Sequence, residues 1–394
     1  MRESPVSREP LYLQKILVGS LSCSILLSII LTLMRTKWVL VLIALVLLTI
    51  LSRPIVSSFR KRNSSPYIFI SLAIFNLLII VPELALRIFD FQYVSGIQLQ
   101  NSQLFINYEP DEKLFWKLKP SDPSANSFGF PGNEVVVPKP EGTFRILFLG
   151  DSVMQQGYPE IVQNLLNYQY ADSGLKFESV TLALAGYTSY QGLVLAEMYG
   201  EKFEPDLVVI GYGWNDHWKA YEAPDAEKTI TSAAGNEIFN LFYEKFRILQ
   251  ALNWASASLS GEREPIDQVR VPADDYRVNL DRIIDLVSKE NVPIILITAP
   301  TSFYRLGVPS GIVEQKFADS QETIIQLHQE YNQIVRAVAQ DREVYLLDLE
   351  QEFDRVENLR SLFSNDGIHF TSNGLSVLGY RVAEFIGANL LSGK

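Results

Sequence analysis

Arg145-Ile146-Leu147-Phe148-Leu149-Gly150-Asp151-Ser152 is the stretch on which the fold turns. Its apolar run, residues 146–149, is too short for a core helix and ends on glycine, as a strand buried on both faces does. Behind it, residues 159–168 place Ile161, Leu165 and Leu166 at helical spacing. The alternation then repeats. Residues 177–184 and 207–212 read as strands. Residues 276–290, with Leu280, Ile283, Ile284 and Val287 in phase, form a helix leading into a strand at 293–298. Residues 322–340 lead in the same way into a strand at 344–347, and a helix near 372–391 closes the chain. Strands alternating with helices predict an α/β fold, a parallel sheet with helices on both faces. In such sheets the chemistry gathers at the carboxyl ends of the strands. We find no internal repeat.

Outward from this region the composition changes sharply. Residues 16–34, 38–51 and 67–82 are three apolar runs separated by basic stretches, Arg35-Thr36-Lys37 and then Arg53 with Arg60-Lys61-Arg62. The first is long enough to span a bilayer as a helix. The second spans only if Lys37 and Arg53 snorkel to the interfaces, and the third is extended by Glu83-Leu84-Ala85-Leu86. Residues 1–90 are therefore expected to be a membrane anchor of about three transmembrane helices, with the lipid bilayer as partner. No small-residue cleavage site follows the first run closely, so a removed signal peptide fits badly. Arg2, Arg8, Lys15, Arg53 and Arg60-Lys61-Arg62 favour the cytoplasmic side, against Arg35, Lys37 and Arg87 outside. Three spans that start inside leave the C-terminal part on the outer, extracytoplasmic face of an inner or plasma membrane. The sequon Asn63-Ser64-Ser65 then falls inside and reads as chance.

Charge divides at the same place. The chain of 394 residues carries −11 overall, yet residues 1–93 hold ten Lys/Arg against four Asp/Glu. The remainder is about −17, a surface that repels phosphate backbones and argues against a nucleic-acid partner. Cys23, the lone cysteine, lies in the first apolar run and excludes both an intrachain disulfide and a thiolate zinc site.

Two stretches fit no strand–helix unit. Residues 91–142 are rich in Pro, Asn, Ser and Asp and read as a linker and lead-in, with Phe115 and Trp116 suggesting that it packs on the domain. Residues 218–268, helical around 238–252, read as an insertion placed to cap a site. The catalytic-type domain is then 143–394.

The chemistry-bearing residues stand at the strand ends. Ser152 follows the first strand with a helix close behind, which exposes its hydroxyl. A serine nucleophile needs a base, and the chain holds three histidines: His217, His328 and His369. His369 follows Asp366 by three residues in a loop, a spacing that lets the carboxylate accept from one ring nitrogen while the other faces Ser152. His328 lies in the 322–340 helix among Gln and Glu and is expected to be solvated. His217, after Asp216, and Tyr187 are candidates for substrate binding, with Tyr187 alternatively a packing residue. Each motif has a plainer reading: Gly150-Asp151-Ser152 as a turn, Asp216 as a helix cap, Asp366 with His369 as a loop tie. A Gly-x-Ser-x-Gly elbow, a phosphate loop and a His-Glu-x-x-His helix are all absent from the sequence.

Four motifs in order give the chain a family resemblance. Phe148-Leu149-Gly150-Asp151-Ser152, Ala185-Gly186-Tyr187, Gly213-Trp214-Asn215-Asp216 and Asp366-Gly367-Ile368-His369 resemble those of the SGNH (GDSL-like) hydrolases. The likeness runs from about residue 108 to 391, with the lead-in Asn126-Ser127-Phe128-Gly129-Phe130 similar to that of anchored members. It implies an SGNH-type three-layer sandwich of the flavodoxin-like kind, with Ser152, Asp366 and His369 as the catalytic set. It also implies an oxyanion hole formed by the Ser152 and Gly186 N–H groups and the Asn215 amide. The expected activity is hydrolysis of an O-acyl ester, including O-acetyl esters, of an envelope glycan or lipid, with no metal and no cofactor. Acyl transfer to a glycan by the same residues, and a non-catalytic envelope-binding protein of the same fold, are the alternatives. One departure stands out: Val153-Met154-Gln155-Gln156 replaces the usual Thr/Phe-rich continuation after the serine, which puts the acyl or leaving-group pocket in question.

Overall fold

The computed structural model describes residues 82–89, 91, 107–221, 223–228, 246–259, 265–288 and 291–391. Two compact units divide the chain. One takes residues 1–95 and 231–261; the other takes 96–230 and 262–394. The apolar runs at 16–34, 38–51 and 67–82 fall almost wholly outside the described residues. Among the described residues no helix is long and apolar enough to cross a membrane.

The larger unit opens with an antiparallel hairpin, β1 (Tyr108–Asp111) and β2 (Phe115–Leu118). A sheet of five strands follows: β3 (Thr143–Gly150), β4 (Lys176–Ala183), β5 (Leu207–Gly211), β6 (Ile294–Ile297) and β7 (Tyr345–Leu347). Their spatial order is β4-β3-β5-β6-β7, and every neighbouring pair is parallel. The predicted strands are all present: β3 is longer at both ends, β4 is shifted by one residue, and β5, β6 and β7 are shorter by one or two.

Central β3 explains the layering. Ile146, Leu147, Phe148 and Leu149 are all fully buried. Because side chains alternate across a strand, Leu147 and Leu149 enter one core and Ile146 and Phe148 the other. Burial of such side chains is worth about 2 kcal/mol each, so neither face tolerates a polar replacement. On the first face lie α3 (Ser189–Tyr199), α5 (Ala273–Val287) and α6 (Gln321–Asp341); on the other lie α2 (Tyr158–Gln169) and α7 (Ser372–Leu390). At the amino end of β3 sits the one charge in the run, Arg145, fully buried. Its guanidinium donates to Glu178 (2.6 Å) and to the carbonyls of Phe203 (2.7 Å) and Val136 (2.8 Å), which offsets the cost of removing it from water.

Register decides where the site forms. Gly150 of β3 is level with Ala183 of β4 and Gly211 of β5. The loops that carry Ser152, Gly186 and Asn215 therefore leave the sheet at one height, along its carboxyl edge.

Residues 218–268 do not behave as one insertion. Its two ends pair into a neck in the larger unit: Ala220 N–H donates to Gln268 O (2.7 Å), Arg270 N–H to Trp218 O (2.8 Å) and Asp225 N–H to Arg270 O (2.7 Å). Its middle groups with residues 1–95. Of the helix expected over 238–252, residues 238–245 fall outside the described residues, and 247–252 are helical within α4 (Arg247–Leu259). At the start of α4 the Glu83 carboxylate accepts from Arg247 N–H (3.1 Å) and Ile248 N–H (2.8 Å).

Candidate active site

Ser152 opens α1 (Ser152–Gln155), a single helical turn capped by Asp151, whose carboxylate accepts from Val153 N–H (2.9 Å). The hydroxyl of Ser152 lies 2.8 Å from His369 Nε2. The other ring nitrogen, Nδ1, lies 2.7 Å from Asp366 Oδ2. Asp366 is itself fixed locally: Oδ1 accepts from Ser364 Oγ–H (2.7 Å), Ile368 N–H (3.0 Å) and His369 N–H (2.9 Å). The loop turns at Gly367, with φ +72°, where an added Cβ would meet Phe303 at 2.6 Å. Only glycine fits that backbone and that gap.

Electrostatics match the geometry. Burial tends to raise the Asp366 carboxyl, but the hydrogen bonds from His369, Ile368 and Ser364 outweigh it and hold the group well below the usual carboxylate range. Burial likewise opposes charging of His369, yet the Asp366 hydrogen bond and charge, helped by Asp151, raise it above 6.5. Burial pushes the carboxyl of Asp151 up to about 6. Asp366 therefore stays ionised while the imidazole is poised to take a proton near neutrality.

Gly186 sits in the loop after β4 with φ +82°, and its missing Cβ would lie 3.1 Å from the Trp116 ring. Asn215 follows β5 and donates one amide N–H to Tyr187 O (2.9 Å), which orients the side chain and leaves a second N–H free in valence. Asp216, fully buried, accepts from Ser189 N–H (2.8 Å) and Gly213 N–H (3.1 Å) and ties both loops together. The structure thus brings Ser152, His369 and Asp366 into one hydrogen-bonded chain, and links Gly186 and Asn215 through the Tyr187 backbone.

Three expectations about the pocket change. His217 does not line it: the ring is fully buried, with Nε2 3.1 Å from His328 Nδ1. His328 is not solvated but 1% exposed, stacked 3.9 Å from the Trp214 ring, with Nε2 2.9 Å from Ala299 O. Burial lowers both rings, His328 to about 3, so this pair is neutral. A periodic signal was available, because His328 falls in phase with Ile324, Tyr331 and Val335 on the buried face of α6. Tyr187 is fully buried too, and its hydroxyl donates to Trp116 O rather than facing a ligand.

The unusual residues after the serine turn out to be braces. Gln155 Oε1 accepts from Ala185 N–H (2.6 Å) and its Nε2 donates to Tyr108 Oη (2.8 Å). Gln156 accepts from Phe370 N–H (3.0 Å) and donates to Phe370 O (3.1 Å). One glutamine joins the Ser152 turn to the Gly186 loop, the other to the His369 loop. Met154 fills the room that Gly150 and Gly211 leave beneath it. A cavity of about 30 Å³ is lined by Asp151, Val153, Met154, Trp214, Ile297 and Leu378 among others; Ser152, Gly186, Asn215 and His369 are not part of its lining. Among the described residues no cluster of three His, Cys, Asp or Glu side chains is placed to hold a metal ion.

The profile of the GDSL-like Lipase/Acylhydrolase family matches residues 148–376, more than half of the chain. The chain belongs to this family. Its fold is the SGNH-hydrolase α/β type, and its class is that of a GDSL-like acylhydrolase. Among solved structures, this acylhydrolase is similar to a lipase/acylhydrolase from Enterococcus faecalis, at 17% identity and TM-score 0.40, over 62% of this chain and 96% of that one. It is similar to a GDSL-like lipase from Bacteroides thetaiotaomicron, at 18% identity and TM-score 0.37, over 62% and 89%. It is also similar to a catalytic mutant of an acetylxylan esterase from Geobacillus stearothermophilus, at 19% identity and TM-score 0.38, over 62% and 94%. No curated protein matches the chain.

Proposed function

We propose that the protein is a serine-dependent hydrolase of carboxylic O-acyl esters, acting through an acyl-enzyme. The observation that carries this reading is the unbroken chain from Ser152 Oγ to His369 Nε2 (2.8 Å) and from Nδ1 to Asp366 (2.7 Å). Ser152 Oγ attacks the ester carbonyl as His369 takes its proton. The proton then passes to the departing alcohol, leaving the acyl group on Ser152. Water, deprotonated by the same imidazole, attacks the acyl-enzyme; the acid leaves and Ser152 regains its hydrogen. Asp366 orients the ring and stabilises its cationic form. The Ser152 and Gly186 N–H groups and the Asn215 amide receive the negative charge of each tetrahedral intermediate.

The substrate proposed is an O-acyl ester, O-acetyl esters among them, on a glycan or lipid of the cell envelope. The basic residues flanking the apolar runs support an outward-facing enzyme anchored in the membrane. A fluorophosphonate probe is the direct test. The full-length protein is expected to label once, at Ser152, and Ser152→Ala to lose both labelling and at least about 10⁴-fold of its ester hydrolysis. Labelling at another serine, or activity surviving in the variant, refutes the reading. Aryl esters from acetyl to decanoyl identify the acyl group.

A further inference from the structure

Two residues outside the catalytic motifs converge on one glycine. Trp116 lies in β2, upstream of the region matched by the family profile, and is 5% exposed. Its indole Nε1–H donates to Ala185 O (3.2 Å). Arg270 lies in the neck of the insertion. Its Nη1–H donates to Gly186 O (2.8 Å), while Nη2 pairs with the fully buried Asp225 carboxylate at 2.7 Å. Asp225 also accepts from Thr188 Oγ1–H (3.0 Å), two residues beyond the glycine.

The covalent bookkeeping of the backbone gives these contacts their meaning. Ala185 O and Gly186 N–H belong to the same planar peptide unit. A donor on that oxygen therefore sets the direction of that N–H. It also polarises the amide, which makes the N–H a better donor to an anion. Gly186 O belongs to the next peptide unit, so Arg270 fixes the plane on the other side of the same Cα. Between the two planes lie only the φ and ψ of Gly186, the softest pair of torsions a chain can offer. The Trp116 ring closes the space where a side chain would stiffen them, 3.1 Å from the virtual Cβ. An oxyanion donor works only if it is already aimed before charge develops.

We propose that Trp116 and Arg270 are positioning residues for hydrolysis: from opposite sides they lock the two peptide planes that meet at Gly186 and so aim its N–H at the oxyanion. This rests on the role given to Gly186 under the proposed function. The lead-in hairpin and the insertion neck thereby become parts of the catalytic apparatus.

Kinetics of the full-length chain with p-nitrophenyl acetate test it, alongside the rate of fluorophosphonate labelling at Ser152. Trp116→Phe keeps the ring and removes the donor; Arg270→Lys keeps the charge and loses the forked reach to Gly186 and Asp225 together. Each is expected to lower kcat about tenfold with KM within twofold, and to slow labelling by the same factor. Active sites are counted by labelling to completion, so loss of folded protein is separated from slow chemistry. The acid limb of the pH–rate profile stays where it is, because the base is untouched. The double variant is expected to lose about a hundredfold, the product of the two single losses and no more than the loss expected of one missing donor. Unchanged kcat in Arg270→Lys and in any folded Trp116→Phe overturns the proposal, as does a raised KM at constant kcat. If Trp116→Phe fails to fold, Arg270→Lys decides alone. A wild type that neither hydrolyses nor labels brings down the reading of the site and the clamp with it. A wild type that does both, beside variants that match it, brings down the clamp only.

Discussion

His369 and the His217–His328 pair are the same side chain in two opposite settings. His369 stands in a half-open loop against an ionised carboxylate and is raised above 6.5. His217 and His328 are enclosed by Trp214, Trp218 and Tyr331, see each other and a carbonyl, and are lowered by burial. The contrast teaches that a histidine acquires a proton-transfer role from its partner and its access to solvent. A position among the site motifs, which His217 has, is not enough. His217 lies two residues from Asn215, yet its ring is fully buried against His328 and Trp214.

The largest effect expected from this contrast is His369→Ala, which removes the base and is expected to cost at least about 10⁴-fold in kcat/KM. His217→Ala and His328→Leu are expected to stay within about tenfold in the folded enzyme. A steady-state comparison of the three breaks the contrast if either buried histidine proves as costly as His369.

Asp366→Asn comes next. It leaves the ring but removes the charge that holds it, with an expected loss of about 10³- to 10⁴-fold in kcat. The pH profile carries the sharper information. Hydrolysis needs neutral His369, so kcat/KM falls as pH drops through the pKa of the ring. Without Asp366 the remaining dominant influence is burial, which lowers that pKa. The acid limb is expected above pH 6.5 in the wild type and at lower pH in the variant. A limb that moves upward contradicts the electrostatic account.

The smallest effect on catalysis, and the largest on stability, belongs to His328→Leu. Removing that ring strands His217 Nε2 and breaks the stack on Trp214, at a cost of about 2–3 kcal/mol in urea denaturation. The sign of the pH dependence follows from linkage. His328 titrates at about 3 when folded and near 6.5 when unfolded, so the unfolded chain binds more protons between those values. Stability is then full above pH 6.5 and declines as the pH falls towards 3. The variant is expected to decline less steeply over that window; an identical slope contradicts the burial of a neutral ring.

Much of this was legible in the chain itself. Short continuous apolar runs such as 146–149, closed by Gly150, mark strands, because the information is local. Asp366 and His369 are legible for the same reason: three residues set their geometry. What escaped is long-range. Trp116 and Arg270 meet the Ala185–Gly186 peptides across tens of residues of sequence, and no spacing rule announces such a meeting. Gln155 and Gln156 looked like pocket variation and are instead braces to Ala185 and Phe370. His328 was misread because its neighbours Gln329 and Glu330 are polar, although its own phase on α6 matches the buried stripe. Glu83 caps α4 from 165 residues away, a contact no local pattern contained.

The self-sufficiency of the Asp366 loop has a consequence for the order in which the enzyme assembles. Ser364, Asp366, Ile368 and His369 satisfy one another within six residues, so closing that turn costs little chain entropy. The Gly186 donor waits for a hairpin upstream and a neck downstream to arrive, contacts 69 and 84 residues apart in sequence. Loop closure penalises such distant meetings and delays them. With the roles proposed above, loop closure alone favours readying the Asp366–His369 pair before the Gly186 donor. A chain caught part-way would then hold an oriented imidazole with nowhere to put the charge it would create.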